Sequence, residues 1–127
     1  MRILASIIIT AFVFVACGKA MQHLPRQWQH TLATWKTTYI APTASCDVPD
    51  VLDDEYTVWL HKLCTLEQHK KDVGSTVDLD SAIQRVFNET ERSGLGYYAT
   101  LSVAALAAVR GDISVDVVVC NTYIEPH

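Results

Sequence analysis

Ile113-Ser114-Val115-Asp116-Val117-Val118-Val119-Cys120 admits two readings, and the fold class turns on which is taken. Ile113, Val115, Val117 and Val119 alternate as a half-buried strand would, and every one of them is β-branched. A strand needs a neighbour, however, and nothing upstream reads as a convincing second strand, so an isolated edge would be unstable. Asp112 can instead cap a helix that turns Ile113, Val117 and Cys120 inward. That reading is preferred here, because long periodic segments are assigned more securely than short β-branched runs.

Working back from the tail, the pattern is helical throughout. Leu95 to Val109 is almost wholly apolar and small, with Arg110 its first charge and Gly111 a stop, as expected of a buried helix. Leu79, Ala82, Ile83, Val86 and Phe87 mark a third helix, capped by Thr76 or Asp78 and ended by Gly94. Leu52, Tyr56, Trp59, Leu60 and Leu63 mark a second, capped by Asp50 and closed by Lys70 and Lys71 before Gly74-Ser75-Thr76. Leu24, Trp28, Leu32, Trp35 and Tyr39 mark a first, starting near Pro25 and ending by Ala41-Pro42. The spacing predicts a mainly α fold, a single small bundle of four or five helices, with the C-terminal segment ambiguous between helix and strand.

Ahead of this domain, Ile3 to Ala16 form an apolar run behind Arg2 that ends at Cys17-Gly18. It is short of the roughly 20 residues a spanning helix needs and has the length of an export leader. Phe14-Val15-Ala16-Cys17 resembles the lipobox of bacterial lipoprotein precursors. That resemblance covers this segment alone; it implies a lipid on Cys17 and a division into a signal segment, 1–17, and one helical domain, 18–127. Gly18-Lys19-Ala20 offers a second cleavage point, after Ala20, which would release a free domain starting at Met21.

The whole chain carries a formal charge of -4, and residues 18–127 hold nine basic against 14 acidic side chains. Lys and Arg are scattered, with no run longer than Lys70-Lys71, so nucleic acid is not an expected partner. Asp47, Asp50, Asp53, Asp54 and Glu55 place five acids within nine residues. A helix start accounts for one or two of them through the dipole. The surplus would present a negative patch to a basic protein.

Cys46, Cys64 and Cys120 survive either cleavage, an odd number that leaves one thiol over. With a helix from Val51, Cys64 would lie about 20 Å along it, beyond the roughly 17 Å reach of Cys46. Cys46 to Cys120 is therefore the first-ranked pairing, Cys64 to Cys120 the second, and three buried reduced cysteines the third. His61 and Cys64 would share a face of the second helix, the arrangement of a small thiol enzyme. Zinc needs three or four convergent ligands, and His23, His30, His69 and His127 form no second paired motif. No catalytic residue, metal or cofactor is assigned. Trp28, Trp35 and Trp59 are read as core, and Asn88-Glu89-Thr90 as a chance sequon.

These features point to an exported, lipid-anchored domain of the periplasm or outer membrane that acts by binding protein. Its most concrete form is an immunity or inhibitor protein against an envelope-acting toxin or hydrolase. A freely secreted effector or toxin-like protein is the alternative.

Overall fold

A computed structural model describes residues 26, 27, 34, 38–89 and 94–123. Among them lie five strands and three short helices: β1 (Thr43–Ala44), β2 (Val51–Leu60), α1 (Leu66–Val73), α2 (Leu79–Ala82), β3 (Ile83–Glu89), β4 (Gly94–Thr100), α3 (Val103–Arg110) and β5 (Val115–Thr122). The strands form one sheet in the order β1-β5-β2-β4-β3, antiparallel except for the β1–β5 pair. This overturns the expected helical bundle. Arg26, Gln27, Thr34 and Thr38 are helical, while Trp28, Trp35, His23, His30, His127 and Cys17 lie outside the described residues.

The second helix is replaced by a strand, a turn and a shorter helix. In β2, Val58 and Leu60 are buried on one face while Trp59, on the other, is half-buried. A strand that packs both faces has apolar residues at consecutive positions, and those positions also satisfy a helical spacing. β-Branched and aromatic side chains at Val51, Tyr56, Thr57, Val58 and Trp59 favour the pleated form. Helix resumes only at α1, where Thr65 accepts a hydrogen bond from the Gln68 amide at 3.2 Å and Glu67 and Lys70–Lys71 complement the dipole at its two ends.

The same substitution recurs downstream. The third helix shrinks to the single turn of α2, capped by Asp78, and gives way to β3 at Ile83. Leu95 to Val109 divides into β4 and α3, with Ser102 capping α3 through a 3.1 Å bond from the Ala105 amide. The tail is β5 rather than a fifth helix, and β2 is the neighbour it appeared to lack. Their register joins Tyr56 to Cys120 and Trp59 to Val117.

Val58, Tyr97 and Val118 form one row across β2, β4 and β5, all fully buried. Leu60, Ala99 and Val115 extend this face, and Ala105 and Val109 of α3 with Val73 of α1 complete the core. The segment before β1 is fastened to the same layer. Tyr39 donates its hydroxyl to the Val115 carbonyl at 2.6 Å, and Ala41 and Arg110 exchange two hydrogen bonds, amide to carbonyl at 2.7 Å and Arg110 Nε to the Ala41 carbonyl at 2.9 Å. Burial and the nearby carboxylates of Asp116 and Asp112 push the Tyr39 hydroxyl up to about 12. None of the described helices is long and apolar enough to cross a membrane.

Candidate functional site

The opposite face of the sheet carries a second row, Tyr98, Thr57 and Val119, set by the same register. These residues floor a groove of about 850 Å³. Its wall is the loop from Ser45 to Asp50 together with Leu52 at the start of β2, held against the sheet by the Cys46–Cys120 disulfide and by the 2.9 Å bond from the Tyr123 amide to the Asp50 carbonyl. Asp50 and Tyr123 stand at its rim, and Tyr123 is 60% exposed. Thr57 Oγ1 donates to Asn121 Oδ1 at 2.6 Å on the floor, while Asn121 Nδ2 has no hydrogen-bond partner among the described residues.

Of the five acids only Asp50 lines this groove, and none of the five stands at a helix start. Asp47 and Asp50 lie in the wall loop. Asp53, Asp54 and Glu55 lie in an irregular stretch of β2, where the register passes from Val51↔Thr122 to Tyr56↔Cys120 and the strand bulges away from its neighbour. Asp54 holds a left-handed backbone, φ 63°, a region that Asp tolerates better than most residues, and its carbonyl accepts from the Leu101 amide at 2.8 Å. Asp47, Asp50, Asp53 and Asp54 are exposed and Glu55 is half-buried. The helix dipole that was to account for part of this charge is absent here.

His61 and Cys64 do not form the expected pair on one helical face. His61 follows β2, with Nδ1 3.6 Å from Asp116, and burial lowers its pKa against the pull of that carboxylate. Cys64 sits in the turn before α1 and is disulfide-bonded, so it offers no thiol. Asn88 is exposed on β3 rather than on a helix. Among the described residues no group of three or more His, Cys, Asp or Glu side chains is placed to hold a metal ion.

A buried polar cluster escaped the sequence reading. His69 of α1 reaches Asp112 Oδ2 through Nδ1 at 2.6 Å and the Tyr97 hydroxyl through Nε2 at 2.7 Å. Ser114 Oγ donates to the same carboxylate oxygen and lies 3.2 Å from Nδ1. His69, Tyr97 and Ser114 are fully buried and Asp112 is 8% exposed. Burial pushes the Asp112 carboxyl up, but the hydrogen bonds from His69 and Ser114 outweigh it and hold the group below the ordinary carboxylate range. Burial also raises the Tyr97 hydroxyl, with Asp112 adding to the effect.

Ser, His and Asp are the residue types of a nucleophilic triad, yet this geometry is not one. Ser114 donates to the carboxylate, and the ring nitrogen that would activate a nucleophile faces a phenol in the core. The cluster instead joins α1, β4 and the turn after α3 through partners that leave each buried polar atom satisfied. One signal for it was available: His69 precedes Val73 by four residues, so the two share the buried stripe of α1, where a polar side chain requires a partner. No protein-family model matches this chain, and no curated protein matches it significantly.

Proposed function

We propose that this chain is an exported domain that binds a basic, partly apolar segment of another protein in the groove beside the Cys46–Cys120 disulfide. The observation that carries this reading is the composition of that groove. Tyr98, Val119 and Tyr123 offer apolar and aromatic contact, and Asp50 supplies negative charge on the wall, with Asp47 exposed three residues before it in the same loop. Disulfides persist in oxidising compartments, which supports export. An immunity or inhibitor protein that seats part of a toxin or hydrolase in the groove is the form that suits a small domain with a rigid, bridged wall.

Panning a random peptide library on the purified protein tests this. Enriched peptides are expected to combine Lys or Arg with apolar residues. Reversing the rim charge with Asp50→Lys should weaken them by about tenfold or more, equivalent to about 1.4 kcal/mol. Binding should also weaken as salt is raised. Failure to enrich any peptide, or enrichment indifferent to Asp50→Lys, would defeat the proposal.

A further inference from the structure

The two edges of the sheet differ in kind. β1 is an edge strand of two residues, whereas β3 has seven, and among the described residues its outer side takes no backbone partner. Proteins commonly blunt a long edge with lysine or proline, and β3 carries neither. Its register with β4 slips only between Ile83 and Arg85, so the stretch from Arg85 to Glu89 is regular, with Phe87 at its midpoint. Arg85, Val86 and Asn88 are exposed, Val86 by 45%. Arg85 and Phe87 share a face, since Arg85 Cζ lies 6.0 Å from the Phe87 ring centroid.

We infer that this edge is the contact between two copies of the chain, with β3 adding antiparallel to β3 of the second copy about a two-fold axis through Phe87. A register centred there uses the whole regular stretch. It sets Arg85 of each copy opposite Glu89 of the other and Phe87 opposite Phe87, so opposite charges flank an aromatic pair. The net charge of -4 opposes indiscriminate self-association, and a matched pair at two positions selects this register over its neighbours. Val86, on the other face, gains cover from the added strand. Such a contact closes at two copies, because neither leaves a β3 edge for a third. The outer faces of the joined sheets point the same way, so the two grooves, lying toward the β1 edges, stay open and form a bivalent surface.

Sedimentation velocity of the purified protein over a concentration series provides the test. A concentration-dependent equilibrium between monomer and dimer is expected, with no larger species. Arg85→Glu and Glu89→Arg should each weaken the dimer by about tenfold or more, since each puts like charges face to face at two positions. Combining Arg85→Glu with Glu89→Arg should restore it, a recovery that damage to the fold would not give. Asp50→Lys, at the groove, should leave association unchanged. A protein that stays monomeric throughout, single variants that associate as well as the original, a double variant no better than either single one, or a dimer abolished by Asp50→Lys would each overturn the inference.

Discussion

Gly96 lies directly beneath the indole of Trp59: a Cβ built on Gly96 would stand 2.6 Å from Trp59 Cε3 and 2.8 Å from Cζ3. The two residues are register partners on β4 and β2, and Phe87 of β3 is the partner of Gly96 on its other side. The Trp59 and Phe87 rings meet with centroids 5.5 Å apart, bridging over the glycine between them. A three-strand aromatic contact is therefore built on the absence of one side chain.

Gly96→Ala should be destabilising for that reason. Elsewhere in a strand, replacing glycine with alanine gains about 0.5–1 kcal/mol by reducing chain entropy. Here the methyl group must displace an indole, at a cost of about 1–3 kcal/mol. Thermal unfolding followed by circular dichroism should show the midpoint falling by several degrees. A rise in the midpoint would mean that the ring yields freely.

The His69–Asp112 pair should be costly to break from one side and cheaper to remove whole. His69→Leu leaves the Asp112 carboxylate buried without its principal donor, a loss on the order of 3–5 kcal/mol. Adding Asp112→Leu to His69→Leu removes the stranded charge and should recover part of that loss. Urea unfolding of the three variants measures the coupling. Additive losses would show that the two residues act independently.

Acid should unfold the domain through Asp112. Its carboxyl titrates below the ordinary range in the folded protein and near about 3.9 when unfolded. The pair therefore contributes stability that is fully present above about pH 4 and is lost as the pH falls through the depressed folded value. Unfolding free energy measured between neutral and strongly acidic pH should fall in that window. Asp112→Asn should be less stable at neutral pH and should show a flatter decline.

Removing the Cys46–Cys120 bridge should loosen the groove as well as the fold. The bridge closes a loop with a sequence separation of 74, worth about 4 kcal/mol in the chain-entropy model. Cys46→Ser with Cys120→Ser should lower the urea midpoint accordingly. Hydrogen exchange should rise first in the wall loop from Ser45 to Asp50. Unchanged exchange there would show that the Asp50–Tyr123 backbone bond holds the wall unaided.

Parts of this architecture were legible residue by residue. Gly74 and Gly111 do mark helix ends, Asp78 does cap a turn, and the final turns of α1 and α3 carry Lys70–Lys71 and Arg110, as charge near a helix C-terminus suggests. The strands were not legible, because helical and pleated periods overlap where both faces of a strand are covered. Val58, Trp59 and Leu60 satisfy either one. The polar cluster was hidden for a related reason: Asp112 read as a cap and Ser114 as one position in an ambiguous strand or helix, and only the tertiary fold brings His69 of α1 to Asp112 across 43 residues of chain.

Local chemistry alone settled the stops at Gly74 and Gly111, the cap at Asp78 and the crowding of acids before Tyr56, whereas Gly94 opens β4 and Asp50 and Asp112 cap no helix. Tertiary structure decided everything that depends on a partner distant in the chain. The run from Val115 to Cys120 is extended because β2 lies alongside to satisfy its backbone amides and carbonyls, and a sheet contact such as Tyr56 with Cys120, between segments distant in the chain, leaves no periodic mark on either segment by itself.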